Sequence, residues 1–162
     1  MQSLLPDAEK IAALLIRRKE TIAVAESSAG GLISAALLAI PGASAYFVGG
    51  AVIYTRTSLR EFMRASDEEL KGLEPGTEAL ALMKARLVRE RLFTTWGVSE
   101  NGVAGPAGNR YGYKPGHACV AVSGPVDCAT TLATGCDERV TNMYAFAAAA
   151  LRLLAETLEK NS

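Results

Sequence analysis

The sequence predicts an α/β fold, a three-layer α/β/α single domain with a mixed or largely parallel sheet. The chain has 162 residues, of which 49% are hydrophobic and 21% are charged, values typical of one folded domain with a substantial core. Helix-periodic segments alternate with short β-favouring segments, which indicates helices packed on both faces of a sheet. Two glycine-rich stretches follow predicted strands, as ligand-binding turns do in such sheets. We therefore expect residues 1–162 to form one domain.

The first half of the chain contains two predicted strand-to-helix units after an amphipathic surface helix. Asp7 is the predicted cap of that first helix, because its side chain can accept from free backbone N–H groups. Pro-Gly at positions 41 and 42 is expected to end the second helix. The predicted elements are a helix from Asp7, a strand over Thr21–Ala25, a helix over Leu32–Ile40, a strand over Phe47–Tyr54 and a short helix over Ser58–Met63.

The second half begins with a long helix and ends with another. Thr77 and Glu78 open the first of these, in which apolar residues recur every three or four positions. Between the two helices lie a strand that runs into a Gly-Pro loop and a pair of segments with the pattern of a hairpin. The predicted elements are a helix from Thr77, strands over Val98–Ala104, His117–Ser123 and Ala129–Thr134, and a C-terminal helix with an apolar stripe from Val140 to Leu158.

Composition argues against several classes of partner. Lys plus Arg and Asp plus Glu number 17 each, so no net field attracts nucleic acid or a membrane surface. Three cysteines without a close pairing fit a reducing compartment, and Met1–Asp7 lacks the features of a secretory leader, so we expect a cytoplasmic protein. His117 and Cys119 share a strand face, but no further ligands with zinc-like spacing accompany them. We expect no metal site and no cofactor.

The two glycine-rich stretches are the candidate site. Ala-Glu-Ser-Ser-Ala-Gly-Gly at 25–31 joins a strand to a helix and offers backbone N–H groups to a phosphate or a developing oxyanion. It matches neither the P-loop nor the G-x-S-x-G elbow, and a plain helix cap with packing glycines is an equal alternative. Gly-Val-Ala-Gly-Pro-Ala-Gly at 102–108 allows a close backbone approach but does not spell the dinucleotide fingerprint. Together they predict one shared cleft for a small anionic ligand.

Four motifs in a fixed order carry a family resemblance. They are Ala-Glu-Ser-Ser-Ala-Gly-Gly, Pro-Gly-Ala-Ser-Ala-Tyr-Phe, Gly-Gly-Ala-Val-Ile-Tyr and Gly-Val-Ala-Gly-Pro-Ala-Gly. On the basis of these motifs, the chain resembles the CinA C-terminal domain, a family that includes bacterial nicotinamide mononucleotide deamidases. The resemblance covers nearly the whole chain. It implies hydrolysis of the nicotinamide carboxamide to carboxylate and ammonia, without a metal, through a serine nucleophile that forms an acyl-enzyme.

The resemblance also assigns residues to that chemistry. It places the nucleophile at Ser27 and a strand-end tyrosine at Tyr54, and it implies a homo-oligomer. Backbone N–H groups near Gly30 and Gly31 are expected to hold the oxyanion or a phosphate. The further ligand-binding residues expected from the two turns are Ser28, Gly30, Gly31, Gly105, Gly108 and Arg110. The resemblance adds Glu26 in the first motif, Glu78 at the start of the long helix, and Arg139 in Asp137-Glu138-Arg139, which matches the family's Gly-Asp-Arg motif.

Four positions depart from the family pattern. The lysine that serves as general base in the family is Leu59 here, the motif threonine is Ala29, Asn109 replaces a glycine of the glycine loop, and Arg110 replaces the hydroxyl residue after that loop. Arg110 can bind a phosphate or carboxylate with two hydrogen bonds, or it can be a solvated loop residue. Lys114 is a weak candidate for a replacement base because a lysine needs burial for that role, and His117 is expected to be structural.

Two main hypotheses therefore stand at this point. One is an amidohydrolase that acts through Ser27 on a pyridine nucleotide or a related amide. The other is a non-catalytic domain that binds a nucleotide or another anion in the same cleft. A third and weaker alternative is an interaction module, because domains of this family also occur fused to other domains.

Overall fold

Five strands form one mixed sheet in the computed structural model, which describes residues 1–161. The strand order is β2-β1-β3-β4-β5. β1 lies between β2 and β3 and runs parallel to both, whereas β4 is antiparallel to β3 and β5 is antiparallel to β4. The strands are β1 Ile22–Glu26, β2 Phe47–Val52, β3 Trp96–Gly102, β4 His117–Ser123 and β5 Cys128–Ala133.

Six α-helices cover this sheet, and two short 3₁₀ helices lie at Gln2–Leu4 and Ala43–Ala45. Within residues 1–161, no helix combines the length and the apolar character needed to cross a bilayer. The helices are α1 Leu5–Arg18, α2 Leu32–Leu38, α3 Arg56–Met63, α4 Asp67–Leu70, α5 Glu78–Arg91 and α6 Arg139–Lys160.

The helices pack in two layers, which confirms the predicted α/β/α class. Ile22 and Val24 of β1 face a large apolar core that they share with α1, α2 and α6. Ala23 and Ala25 point to the other face, where they pack against α3, α4 and α5. This alternation is the ordinary consequence of the two-residue period of a strand. The two small alanines let α5 approach the sheet closely at the strand that leads to the candidate site.

Some boundaries differ from the sequence predictions for local reasons. Asp7 is not the cap of α1, because the helix begins at Leu5 behind Leu4, which makes no side-chain cap bond. β3 begins at Trp96 rather than Val98, because the Trp96 backbone N–H donates to Thr21 O and its indole donates to Glu20. The short helix α4 was not predicted; it is fixed by a capping box between Ser66 and Glu69. Thr77, in contrast, caps α5 as the sequence indicates.

Candidate functional site

A cavity of about 320 Å³ opens at the carboxyl ends of the three parallel strands. This is the edge at which open α/β sheets bind ligands, and the volume lies at the lower end of the range for small-molecule sites. Both glycine-rich stretches reach its wall, as the sequence predicted. The lining residues are Ser27, Ile53, Tyr54, Thr55, Arg56, Leu59, Leu70, Pro75, Gly76, Leu80, Lys84, Asn101, Gly102, Asn109, Arg110 and Tyr111.

Ser27 is the first residue after β1 and is half-buried on the cavity wall. Its parity along the chain matches Ala23 and Ala25, which face α3 and α5. The strand alternation therefore directs Ser27 toward the same layer, where the cavity lies. Its backbone N–H donates to the Glu100 carboxylate at 2.9 Å. The backbone of Ser27 is thus held in place at the cavity wall.

Glu26 serves the protein backbone and not the cavity. It is fully buried, and its carboxylate accepts from the N–H groups of Gly31, Ile33 and Ser34 at 2.8–3.0 Å and from the Ser34 hydroxyl at 2.6 Å. An internal carboxylate thus occupies the amino end of α2. Gly30 N–H donates to Ser27 O. The N–H groups expected to hold an oxyanion or phosphate near Gly30 and Gly31 are therefore engaged within the protein.

Glu100 is a second buried carboxylate beneath the same turn. It lies on β3, is fully buried, and accepts from the N–H groups of Ser27 and Ala29 through one oxygen. Its other oxygen is buried and receives no hydrogen bond from residues 1–161. Burial raises the pKa of Glu100, while Lys84 and the two backbone donors oppose that shift. Lys84 is the basic side chain that partly compensates this charge.

The two turns are joined directly. The Ser28 hydroxyl is buried and donates to Gly102 O at 2.6 Å, which ties the end of β1 to the end of β3. Asn101 lines the cavity and accepts from Gly76 N–H at 2.7 Å. Gly105 and Gly108 lie outside the cavity lining. A side chain at Gly108 would lie 2.6 Å from Tyr113 O, so this glycine is required for the loop to close on itself.

Tyr54 and Arg139 form a pair at the rim. Tyr54 lines the cavity with 60% of its surface exposed, and its hydroxyl accepts from Arg139 at 3.3 Å. Arg139 also donates to Gly105 O at 2.5 Å. Arg139 is therefore brought to the site through Tyr54, although it is not part of the wall. Glu78 is directed elsewhere, since its carboxylate accepts from Thr131 on β5.

Two arginines contribute positive charge to the wall. Arg110 lies with its guanidinium 5.0 Å from the centroid of the Tyr111 ring and donates to the Tyr111 hydroxyl at 2.8 Å. Arg56 donates to Leu73 O at 2.8 Å. Each guanidinium has five N–H donors, so both retain donors for an anionic ligand. Of these two, Arg110 was predicted from the sequence as a ligand-binding residue, whereas Arg56 was not.

Lys84 is the residue that sequence reasoning missed. It lies on α5, is only 2% exposed and lines the cavity together with Ser27 and Leu59. Its ammonium group donates to Glu100 O at 3.0 Å and to Ile53 O at 3.5 Å. Burial lowers the pKa of Lys84 to about 8, against the opposing charges of Glu100 and Glu26. The signal in the sequence is a lysine four residues after Leu80 and four before Val88, inside the apolar stripe.

Lys114 and His117 lie in a separate groove, away from Ser27. His117 stacks on Tyr113 with ring centroids 4.1 Å apart, and its Nε2 donates to Gly76 O at 2.7 Å. The structural role expected for this histidine is therefore confirmed. Lys114 is exposed and does not contribute to the lining of the cavity that holds Ser27.

The fold and the cavity define a class of protein: a three-layer α/β domain with a cavity where its parallel strands end, and with a serine, a buried lysine and arginines on the cavity wall. The model of the CinA C-terminal domain family matches residues 5–158. The chain belongs to the CinA C-terminal domain family.

Relatives and solved structures agree with this assignment. A CinA-like protein of Desulforapulum autotrophicum is 33% identical over 147 residues, which cover 90% of this chain and 35% of that protein. A CinA-like protein of Parasynechococcus marenigrum is 36% identical over 124 residues, 76% of this chain and 30% of that protein. The chain thus spans about a third of the length of these relatives.

The fold matches crystal structures over nearly the whole chain. A CinA superfamily protein from Klebsiella pneumoniae superimposes with a TM-score of 0.89 at 21% identity, covering 97% of this chain and 98% of that one. The competence/damage inducible protein CihA from Agrobacterium tumefaciens gives a TM-score of 0.81 at 27% identity, covering 94% and 96%.

Proposed function

We propose that this domain is an amidohydrolase that converts the carboxamide of a pyridine nucleotide, nicotinamide mononucleotide in the first instance, to the carboxylate and ammonia. Ser27 is the nucleophile, and an acyl-enzyme is the intermediate. The observation that carries the proposal is the position of Ser27 on the wall of a cavity that also holds cationic and aromatic side chains. The cytoplasmic location and the homo-oligomeric state remain predictions that accompany this proposal.

The wall provides groups for each part of such a substrate. Arg56 and Arg110 suit a phosphate, because guanidinium groups bind phosphate oxygens with paired hydrogen bonds. Tyr54 and Tyr111 present aromatic rings for contact with a pyridine ring. Ser27, on the same wall, would attack the carboxamide.

The test is ammonia release from nicotinamide mononucleotide by the purified chain, with Ser27→Ala as the control. We expect turnover in the native protein and a loss of at least about a hundredfold in the variant, because the acyl-enzyme cannot form without the hydroxyl. Ser28→Ala is a matched control, since that hydroxyl faces Gly102 O and not the cavity. Ammonia release that is equal in native protein and Ser27→Ala would contradict the proposal.

The second candidate is a binding domain without turnover, and Leu59 is the observation that favours it. Leu59 is 4% exposed and lines the cavity at the position where the family resemblance implies a base. A ligand that binds only the folded state raises its apparent stability. Under this alternative, nicotinamide mononucleotide raises the melting temperature of native protein and of Ser27→Ala alike, while neither releases ammonia. Arg110→Ala should reduce the shift.

A further inference from the structure

We propose that Lys84, on α5, is the general base that activates Ser27. It replaces a base at the α3 position that Leu59 occupies. This inference rests on the proposed serine chemistry of the cavity. Lys84, Ser27 and Leu59 line the same cavity, and Leu59 packs in one apolar cluster with α5 residues. A lysine nitrogen is therefore present in the cavity without a lysine on α3.

The hydrogen bonds of Lys84 fix where its nitrogen lies. It donates to Ile53 O, just after β2, and to Glu100 O, on β3. The sheet order places β1 between these two strands, and Ile53 N–H donates to Glu26 O. The nitrogen therefore lies near the end of β1, which is followed directly by Ser27. Lys84 and Ser27 are also both bonded to Glu100, one to its carbonyl and the other to its carboxylate.

The same contacts orient the lone pair of the neutral amine. A neutral amine has two N–H bonds and one lone pair. Two backbone carbonyls accept from Lys84, at 3.0 and 3.5 Å. With both N–H bonds held in this way, the remaining tetrahedral direction carries the lone pair. Lys84 and Ser27 line the same cavity, and the proposal requires this direction to face the Ser27 hydroxyl.

The charged surroundings are compatible with a base that titrates near neutrality. Burial favours the neutral amine, which is the form that accepts a proton. Glu100 on β3 and Glu26 on β1 oppose this shift, and both carboxylates are held by backbone donors. Arg56, Arg110, Tyr54 and Tyr111 are the remaining titratable or charged groups on the cavity wall.

The proton moves in a closed cycle. Ser27 Oγ bonds to the amide carbon while its proton passes to Lys84 Nζ. The C–N bond then breaks, and the Lys84 ammonium gives that proton to the departing nitrogen, which leaves as ammonia. Water attacks the ester and gives a proton to Lys84. Ser27 departs and takes that proton back, which restores both groups and releases the carboxylic acid.

The experiment measures phosphonylation of Ser27 by a fluorophosphonate, which needs an activated hydroxyl but no natural substrate. The O–P bond forms, fluoride leaves, and the serine proton passes to Lys84. We expect labelling of native protein to map to Ser27 and its rate to rise with pH through an inflection near 8, the pKa of Lys84. No labelling of Ser27 beyond that of unfolded protein, or no inflection between pH 7 and 9, overturns the proposal.

Two variants separate a base from a structural cation. Lys84→Arg keeps a positive donor for both carbonyls but stays protonated, and Lys84→Met removes the amine. We expect both to label at least about a hundredfold more slowly and without the inflection. Lys114→Met, in the other groove, should label like native protein. Native rate and pH profile in Lys84→Arg or Lys84→Met overturn the proposal.

Folding and function are checked separately. If Lys84→Met leaves Glu100 unpaired and unfolds, Lys84→Met/Glu100→Gln removes both buried charges and is tested in its place, with urea unfolding as the control. Labelling that depends on Lys84 without ammonia release from nicotinamide mononucleotide supports this inference and contradicts the proposed function. Ammonia release that persists at the native rate in Lys84→Met supports the function and overturns this inference.

Discussion

Leu59 and Lys84 contribute to one wall from two helices, and their pairing can be tested by exchanging them. Leu59 is 4% and Lys84 2% exposed, so each position accepts a long side chain that has little access to water. A lysine stem has about the length of a methionine side chain and is slightly longer than a leucine side chain, and it carries a terminal ammonium group in addition. The cavity therefore offers two routes by which an amine can approach Ser27.

We expect Leu59→Lys/Lys84→Met to recover part of the Ser27 labelling that Lys84→Met alone loses. The reason is that the double variant moves the amine to α3 without adding a second buried cation. A recovery of about tenfold over Lys84→Met, measured with the same fluorophosphonate, is the expected result. Leu59→Met/Lys84→Met is the matched control, since it has the same bulk without an amine. Equal labelling of the two double variants would show that the α3 position does not serve Ser27.

At the scale of elements, buried carboxylates hold the junction between β1 and α2. Glu26 alone accepts four hydrogen bonds from the start of α2, three from backbone N–H groups and one from Ser34. Glu100 holds two more N–H groups of the same turn. The backbone N–H groups of the glycine-rich turn are thus bound by the protein's own carboxylates, and Arg56 and Arg110 on the cavity wall are left for an external anion.

Glu26→Ala should destabilise the fold by about 2–4 kcal/mol, because it leaves several buried donors without an acceptor. Urea unfolding followed by circular dichroism measures the change as a lower midpoint with an unchanged slope. Glu26→Gln keeps one carbonyl acceptor and should lose less than Glu26→Ala. Glu61→Ala, on the exposed face of α3, is the surface control. A midpoint for Glu26→Ala equal to that of Glu61→Ala would contradict this role for Glu26.

The order and type of most elements could be predicted from the sequence, because periodicity and turn residues are local. The α5 cap at Thr77 and the hairpin of β4 and β5 are examples. The cavity wall was only partly predictable. The positions of Ser27, Tyr54 and Arg110 followed from motifs, whereas Lys84 required knowledge of which face of α5 meets the sheet. The hydrogen bond from Gly31 N–H to Glu26 could likewise not be predicted, because a carboxylate before a helix can face either the helix N-terminus or the cavity.

At the scale of the whole molecule, the buried Lys84–Glu100 pair affects global stability. Both side chains are almost completely removed from water. The Lys84 ammonium donates to the backbone carbonyl of Glu100 and not to its carboxylate, so the desolvation cost of the two charges is offset only in part by their electrostatic attraction. The two buried charges therefore lower the free energy of unfolding at the point where the parallel strands end. We expect native protein to be less stable than a variant in which uncharged side chains of similar shape replace the two charges.

We expect Lys84→Met/Glu100→Gln to be more stable than native protein at pH 8 and this advantage to shrink as the pH rises. Lys84 has a folded-state pKa of about 8, below its ordinary value of 10.5. The unfolded chain therefore binds more protons between those values, and native stability rises with pH. Between pH 8 and 10 the gain is about 2 kcal/mol.

The measurement compares urea unfolding of the two proteins at several pH values. Burial raises the pKa of Cys119 and of Tyr46, which makes stability fall as these groups lose protons. Because this fall occurs in all variants, it cancels when two proteins are compared at the same pH. Burial also raises the pKa of Glu100, which makes native stability fall with pH and opposes the effect of Lys84, so the decisive comparison is between Glu100→Gln and Lys84→Met/Glu100→Gln, which differ only at Lys84. A difference between these two variants that stays constant from pH 8 to 10 would mean that Lys84 keeps its ordinary pKa in the folded state, and the amine could then not serve Ser27 as a base near neutral pH.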